Sequence, residues 1–337
     1  MTSIAGVDYV KYHHHGTYAS DSYTSDIGLF LMSKLRFLDE SLIFSFGGRY
    51  DKYKLELITD GYNETTSNFV PSVGVAFLPF EWLKLRANYA EGFAMPTPTQ
   101  MAGNQTNLPN NSLKPEESKT FEIGADIYYD FITASFTYFH TDWKNKIVSN
   151  AVPGTFNPNN NNPWFRNENI EGATIAGFEF SLNADLGQAF NQDYILQPYV
   201  NVTYLPTRKN KDYSGSTSSV QAYGFDTLYR IAKITVAFGI TFTKPSWNFT
   251  STLSARYMGG TISRNYGTGE EVPITYIKYN NGTIVDLSAE KRLLDWGEKG
   301  HLNIKGAINN LFDKYDQPYI NYPRPGRNFY LGVAYEF

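Results

Sequence analysis

The 337-residue sequence contains no cysteine, and this absence removes several kinds of chemistry. Without cysteine there are no disulfides, no thiolate metal ligands and no thiol nucleophile, which agrees with an exported protein. Long hydrophobic runs are also missing. No stretch reaches the roughly 18 consecutive apolar residues of a membrane-crossing helix, so the sequence excludes transmembrane helices.

The sequence is also poor in positive charge and in motifs of enzyme active sites. The net charge of −4 and the pI near 5.8 argue against nucleic acid as a partner. No nucleophile elbow, phosphate-binding glycine loop, zinc-protease motif or EF-hand pattern is present. We therefore expect a protein that is not an enzyme and has no cofactor.

Aromatic residues are abundant, at 16% of the chain, and the last nine residues show how they are used. Counting back in twos from Phe337, every residue to Phe329 is apolar or aromatic, whereas the intervening residues are small or polar. Successive side chains of a strand point to opposite faces, so this segment is predicted to be a strand with one apolar and one polar face. A strand of this kind that ends on Phe resembles the end of bacterial outer-membrane β-barrels.

The same alternation recurs along the chain and predicts fourteen strands with almost no helix. Residues 42–49, 83–89, 121–127, 234–240 and 302–309 alternate most regularly. The fourteen segments are 3–15, 23–35, 41–56, 66–78, 82–92, 117–129, 131–146, 167–184, 194–205, 228–242, 247–259, 274–289, 300–310 and 327–337.

The connections between these segments alternate in length, and this rhythm distinguishes two architectures. The short links are 36–40, 79–81, 130, 186–193, 243–246 and 292–299, and the long links are 16–22, 57–65, 93–116, 147–166, 206–227, 260–273 and 311–326. A soluble two-layer sandwich has no reason for this rhythm, whereas a membrane barrel has short periplasmic turns and long outer loops. We therefore predict an all-β fold, an antiparallel up-and-down transmembrane β-barrel with about fourteen strands in this chain.

Six segments resemble the barrel of TonB-dependent outer-membrane receptors. They match the family's patterns in the family's order and extend over nearly the whole chain. These segments are 46–53 (FGGRYDKY), 69–77 (FVPSVGVAF), 88–97 (NYAEGFAMPT), 111–124 (NSLKPEESKTFEIG), 308–315 (INNLFDKY) and 325–329 (PGRNF).

The resemblance implies a larger assembly than this sequence contains. Barrels of the family have twenty-two strands and enclose an N-terminal plug domain. We expect residues 1–337 to form one transmembrane barrel domain without the plug and without the first strands of the barrel. An open sheet edge in hydrocarbon is costly. The chain therefore either closes on itself at fourteen strands, pairs with strands from elsewhere, or is part of a longer receptor, which is the reading we favour.

The resemblance also implies a function in the outer membrane of a Gram-negative bacterium. We expect uptake of a scarce nutrient, most of all a ferric siderophore, driven by the TonB complex acting through the plug. The expected contacts are the lipid bilayer, lipopolysaccharide and a small ferric chelate. Residues 97–111 contain no His, where haem receptors of the family typically have one, which disfavours haem. The alternative is a passive fourteen-stranded pore or a structural barrel.

Seven residues are candidates for ligand binding: Arg86 projects by its phase into or near the lumen, and the other six lie at the mouth of the barrel. Aromatic and amide groups at this position suit an amphipathic chelate, and arginine suits an anionic one. The alternatives are an aromatic membrane-interface girdle for the aromatic residues and ion pairing with nearby carboxylates for arginine. The candidates are Arg86, Tyr89, Phe93, Met95, Gln100, Trp164 and Arg166.

His13 and His15 are weak candidates for a metal site. The two residues share one face of the first predicted strand, near its outer end, and imidazole is a common metal ligand. A position in the polar and aromatic rim of the barrel is the favoured alternative. The sequence therefore gives only a weak indication of a metal site at these two residues.

Overall fold

The structure is a computed structural model, and it describes most of the chain in ten segments. The described residues are 1–16, 19–58, 61–159, 162–170, 172–211, 227–228, 230–265, 275–279, 282–318 and 322–337. Two short helices, α1 (Pro98–Ala102) and α2 (Leu186–Ala189), occur among these residues. Within these segments no helix has the length and apolar content needed to cross a membrane.

The described residues form nineteen strands, and the predicted segments account for most of them. The strands are β1 Thr2–Gly16, β2 Ala19–Phe37, β3 Leu42–Leu57, β4 Tyr62–Phe80, β5 Leu83–Ala94, β6 Asn107–Leu108, β7 Glu116–Tyr129, β8 Ile132–Lys144, β9 Ile147–Ala151, β10 Phe165–Asn169, β11 Gly172–Ala184, β12 Ile195–Lys211, β13 Ile234–Lys244, β14 Phe249–Met258, β15 Thr261–Asn265, β16 Thr275–Tyr279, β17 Thr283–Asp295, β18 His301–Asn309 and β19 Asn328–Glu336.

Fourteen strands form one antiparallel sheet in which each strand pairs with the next sheet strand along the chain. The order is β1-β2-β3-β4-β5-β7-β8-β11-β12-β13-β14-β17-β18-β19. This is the up-and-down arrangement that the sequence predicted. Within the described part of the chain, β1 and β19 each have one neighbour in this sheet, so they are its two edges.

The other five strands lie in the long connections rather than in the main sheet. β6, β10 and β9 form a three-stranded sheet, and β15 pairs with β16 in a hairpin. The predicted strand 274–289 was wrong in its boundaries for this reason: Thr275–Tyr279 belongs to the hairpin, and β17 runs from Thr283 to Asp295. The predicted strand 228–242 likewise begins later, at Ile234.

Short turns lie at one end of the sheet and the long connections lie at the other. The turn between β7 and β8 is closed by Asp130, and the turn before β14 by Asn248, with φ of 43° and 47°. Asp and Asn tolerate this left-handed region better than most residues. Two connections predicted to be long, 16–22 and 57–65, are shorter because the pairing continues up to Gly16↔Ala19 and Leu57↔Tyr62.

The two faces of the sheet differ in polarity, and the apolar face is the exposed one. Phe69, Ile123 and Leu331 are 58%, 51% and 74% exposed, whereas Asp126 and Thr137 on the opposite face are 7% exposed. We call these the apolar face and the polar face. In a soluble sandwich the large apolar residues would be buried between two sheets. Their exposure contradicts a sandwich and is the polarity of a membrane barrel.

Aromatic rings gather at the end of the sheet that carries the short turns. Phe80 stacks on Trp82 with ring centroids 5.3 Å apart, and Trp82 meets Tyr129 edge-on at 6.4 Å. Trp296 and Tyr335 form a similar edge contact at 5.9 Å. Such rows of amphipathic rings mark the boundary between hydrocarbon and water in membrane barrels.

Gly177 lies at the bulge in β11, where the backbones of β11 and β12 approach closely. The register between β11 and β12 shifts between Ala176 and Phe178, and a Cβ on Gly177 would collide with the Tyr204 carbonyl oxygen of β12. A backbone oxygen cannot rotate away, so Gly177→Ala should destabilise the fold by about 1–3 kcal/mol. Urea unfolding in vesicles, followed by tryptophan fluorescence, measures this change.

Gly306 provides the matched control because its added Cβ would meet only the Tyr330 carbonyl oxygen, at 3.9 Å. Gly306→Ala should leave the unfolding midpoint within error of the parent chain. Equal midpoints for the two variants would contradict the assigned bulge.

Candidate functional site

The connection between β5 and β7 is folded into a compact unit at the long-connection end of the sheet. Its helix α1 begins at Thr97, whose side chain accepts a hydrogen bond from the Gln100 backbone N–H. The Gln100 side-chain oxygen accepts in return from the Thr97 N–H at 2.8 Å. This reciprocal capping box, with Pro98 in the first turn, explains why so short a helix forms here.

Met101 packs against the polar face of the sheet and so anchors this connection there. Its side chain is fully buried against Leu55 and Leu57 of β3 and against Leu113, which are 0%, 1% and 3% exposed. Leu55 and Leu57 are apolar residues on a face that is mostly polar, and Met101 removes them from water. Burial of such side chains stabilises the connection in one position.

Asparagine side chains join this connection to the one between β8 and β11. Asn167 of β10 donates to the Gln100 carbonyl at 3.1 Å, and Asn110 donates to the Asn167 carbonyl at 2.7 Å. Asn169 donates to the Lys114 carbonyl at 2.9 Å. Because each amide satisfies a backbone group of the other connection, the two connections form one body, which we call the loop cap (residues 95–115, 145–159 and 162–170).

One lysine is partly buried at the base of the loop cap. The Lys146 ammonium lies 3.2 Å from the side-chain oxygen of Asn210 and 5.6 Å from the centre of the Trp143 ring. Burial lowers the pKa of Lys146, because desolvation disfavours the charged form. The contact with Asn210 ties the loop cap to the end of β12.

Two ion-pair clusters occupy the polar face of the sheet. In the first, Arg49 lies 2.6 Å from Asp8 and 2.7 Å from Asp51. In the second, Asp126 receives Lys84 at 3.1 Å and Arg86 at 3.3 Å, and it also accepts from the Ser135 hydroxyl at 2.7 Å. The charges that line this face are therefore largely neutralised by neighbours on adjacent strands.

A cavity of about 250 Å³ lies at the long-connection end and is lined by residues of β12, β13, β14 and β17 together with Asp316 and Arg324 of the connection before β19. Two arginines line it: Arg256, bonded to Asp286 at 2.9 Å, and Arg324, bonded to Asp316 at 3.0 Å. The Arg256 side chain is 52% exposed, so it retains donors that face solvent. Asn201, Thr203 and Thr235 supply further polar groups to the wall. This cavity is the best candidate for recognition of an anionic group.

The structure separates the predicted binding residues of β5. Arg86 lies on the polar face, where its Nη2 also donates to Thr137. Tyr89 pairs directly with Phe121, which is 46% exposed on the apolar face, and Phe93 lies on the same side. Residues an odd number of positions apart on a regular strand point to opposite faces, so Arg86 cannot share a pocket with Tyr89 or Phe93.

The other predicted binding residues belong to the loop cap or lead into it. Met95 is half-buried just before α1, and the Gln100 side chain is committed to capping that helix. The Trp164 carbonyl accepts from Val152, and Arg166 is paired with Glu168 at 2.8 Å. These residues are held near one another by the hydrogen bonds of the loop cap.

His13 and His15 lie on the apolar face of β1, near the end of the sheet that carries the long connections. The rings are 6.0 Å apart, and His13 Nε2 lies 2.6 Å from Asp21. Across the ten described segments, no group of three or more acidic, histidine or cysteine side chains is arranged to hold a metal ion. A metal role for His13 and His15 stays a weak prediction from the sequence.

Two features of the site were not predicted from the sequence. Arg324 and Asp316 carry no local pattern that singles them out. Their position depends on Asp313, which accepts a hydrogen bond from the Arg327 N–H at 2.7 Å and so joins the segments 308–315 and 325–329. The fastening of Met101 to Leu55 could have been suspected from the two leucines, which break the polar phase of β3.

Comparison with known proteins identifies the family. Residues 2–311 match the family model described as TonB dependent receptor-like, beta-barrel. The chain belongs to the TonB-dependent receptors. Relatives of this family are outer-membrane proteins of Gram-negative bacteria, and this places the chain in that membrane. The apolar face is accordingly the lipid-facing side of the barrel and the polar face lines its lumen.

Two curated relatives show the range of the similarity. The heme/hemopexin utilization protein C of Haemophilus influenzae is 25% identical over 383 residues, covering 100% of this chain and 49% of its own length. The probable TonB-dependent siderophore receptor PirA of Acinetobacter baumannii is 26% identical over 320 residues, covering 84% of this chain and 40% of its own. The chain therefore spans less than half of each of these relatives.

Solved structures support the fold. The FrpB iron transporter of Neisseria meningitidis superposes with a TM-score of 0.72 at 18% identity, covering 99% of this chain and 53% of its own. The copper transporter OprC superposes with a TM-score of 0.75 at 16% identity, with the same coverage. At these identities the likeness concerns the fold, and it confirms the predicted barrel.

Truncation of Met101 tests the fastening of the loop cap. Met101→Ala leaves a cavity against Leu55 and Leu57, so the local stability of residues 95–115 should fall by about 2–5 kcal/mol. Hydrogen exchange measured by mass spectrometry should show faster amide exchange in this segment and unchanged exchange in β7.

Met32→Ala is the control, because Met32 lies on the same face of the sheet but is 58% exposed. It should leave exchange in residues 95–115 unaltered. If Met101→Ala also leaves that exchange unaltered, Met101 does not hold the loop cap.

Proposed function

We propose that this chain is the barrel portion of a receptor that imports a ferric siderophore across the outer membrane. The role in import across the outer membrane rests on the family, because the similar proteins are named as receptors and transporters. The choice of a siderophore as the ligand rests on the chemistry of the cavity that contains Arg256 and Arg324. Guanidinium groups bind carboxylate and catecholate-type oxygens through charge-assisted hydrogen bonds.

The cavity fits one arm of a chelate rather than a whole one. Its volume of about 250 Å³ is below the range of about 300–1,000 Å³ that encloses drug-sized ligands. The loop cap stands at the same end of the barrel and presents amide and hydroxyl groups. A ligand held between the cavity and the loop cap would meet both charged and neutral donors.

The energy for import is proposed to come from the TonB complex, acting through a plug domain inside the barrel. This part of the proposal follows the family and involves no residue of the cavity. The two edges of the sheet are consistent with it. Backbone groups of β1 and β19 need strand partners in hydrocarbon, and further barrel strands would provide them.

A passive pore is the second candidate, and the direction of the edge strands permits it. β1 runs towards the long connections and β19 runs away from them, so the two edges could pair antiparallel and close a fourteen-stranded barrel. Conductance in planar bilayers separates the candidates. A stable open channel formed by the full chain alone would contradict a gated receptor.

A binding screen on the full chain in vesicles tests the choice of ligand. The screen includes ferric catecholates, ferric hydroxamates, haemin, cobalamin and copper ions. Binding of an anionic ferric siderophore with the highest affinity is expected. Tight binding of haemin or cobalamin without any siderophore binding would contradict the proposal.

Neutralising the cavity arginines tests how the ligand is recognised. Arg256→Gln and Arg324→Gln should each weaken binding of an anionic ferric chelate by roughly ten- to hundredfold, because hydrogen bonds to charged groups are worth about 1.5–3 kcal/mol. Tryptophan fluorescence quenching by the chelate measures the affinity.

Arg36→Gln is the matched control, since Arg36 lies on the same face near the short turns and pairs with Glu40 at 3.6 Å. Its affinity should equal that of the parent chain. Equal affinities for all three variants would show that the cavity does not contact the ligand.

A further inference from the structure

A third cation lies beside the cavity of Arg256 and Arg324. Lys314 is an exposed residue of the connection between β18 and β19, and its ammonium group lies against Gly282, which lines the cavity. Arg256 and Arg324 are each paired with an aspartate, whereas no carboxylate forms an ion pair with Lys314 among the residues that the structure describes. Its charge is therefore available at the edge of the cavity.

A buried asparagine fixes the backbone of Lys314. Asn310 is 4% exposed, and its side-chain oxygen accepts from the Lys314 N–H at 2.8 Å, while its side-chain amide donates to the Lys314 carbonyl at 2.8 Å. The Asn310 N–H donates to Asp286 at 2.8 Å, and the other oxygen of Asp286 accepts from Arg256 at 2.9 Å. A continuous set of hydrogen bonds thus leads from the wall of the cavity to Lys314 and holds it at this place.

Gly282 leaves room for the ammonium group. A Cβ at this position would collide with Nζ and Cε of Lys314, which are the far end of a flexible side chain. The φ angle of Gly282 lies outside the left-handed region, so its backbone conformation is open to alanine. A methyl group at position 282 would therefore displace the ammonium group without straining the main chain.

Lys314 decides the net charge beside the cavity. The ion pairs of Arg256 and Arg324 are each neutral. Asp313 and Arg327, which are joined through the Arg327 N–H at 2.7 Å, carry opposite charges that also cancel. Within the described part of the site, the charge of Lys314 is left in excess. Neutral pairs offer directional hydrogen bonds, whereas an excess charge attracts anions over a distance that added salt shortens.

We propose that Lys314 gives the cavity its charge selectivity, a role that rests on the proposed import of a ferric siderophore. The arginines can donate hydrogen bonds to the oxygens of a charged or of a neutral chelate. Lys314 adds attraction to the charged chelate only. The cavity therefore prefers a ferric catecholate or carboxylate, which keeps a net negative charge, to a ferric tris-hydroxamate, in which the charges of iron and ligand cancel.

The test compares a ferric tris-catecholate with a neutral ferric tris-hydroxamate of similar size. Each is titrated onto the full chain in phosphatidylcholine vesicles, and tryptophan fluorescence quenching gives the affinity. Lys314→Gln should weaken catecholate binding roughly two- to fivefold, the range of an exposed ion pair, and leave hydroxamate binding unaltered. High salt should remove the difference between the parent chain and this variant. Lys314→Arg keeps the charge and should match the parent chain.

Gly282→Ala tests the same charge without removing it. The added methyl group displaces the ammonium, so this variant should reproduce the loss of catecholate affinity seen with Lys314→Gln. In a chain that already carries Lys314→Gln, it should have no further effect. Lys291→Gln is the control, because it removes one positive charge at an exposed position near the short turns. It should leave both affinities unchanged.

Two results would overturn the role of Lys314 and leave the proposed function in place. One is an unaltered preference for the catecholate in Lys314→Gln, and the other is equal weakening of both chelates. A further loss from Gly282→Ala in the absence of the lysine would also contradict it. Failure of the parent chain to bind either chelate would overturn the proposed siderophore import together with the role of Lys314.

Discussion

The structure depends on one constraint: within hydrocarbon, every backbone N–H and C=O group must be hydrogen-bonded by the protein itself. The fourteen-stranded antiparallel sheet meets this demand for its twelve inner strands through continuous pairing with both neighbours. The edges at β1 and β19 are where the demand is not met within the described residues. The long connections, which carry irregular backbone, lie beyond the apolar band, where water can satisfy their polar groups.

The same constraint explains the inverted polarity of the barrel. Because hydrocarbon surrounds the sheet, Phe69 and Leu331 are exposed outside, while Arg49 and Asp126 face the lumen and bind partners on adjacent strands. A lumen lined with neutralised charges offers few free donors. The Arg256 side chain, half-exposed at the mouth, and the loop cap held by Met101 are therefore the parts best suited to meet a ligand.

The period of two in the sequence is enough to place most side chains on a face, and it should be applied to binding residues as well. Tyr89 is in phase with Leu85 and out of phase with Arg86, so the alternation that predicted the strand also places Tyr89 towards lipid. Arg86, three residues earlier, points into the lumen, because residues an odd number of positions apart on a strand point to opposite faces.

The sequence alone determined the antiparallel barrel, because alternation and connection length are local properties that each strand carries by itself. It also indicated the family, through six short segments within strands and in the connections beside them. Only the tertiary structure decided that Met101 meets Leu55, and that Arg324 and Asp316 join Arg256 at one cavity. These contacts link residues far apart in the chain. Their positions depend on how long connections fold over the sheet, where no repeating pattern constrains the backbone.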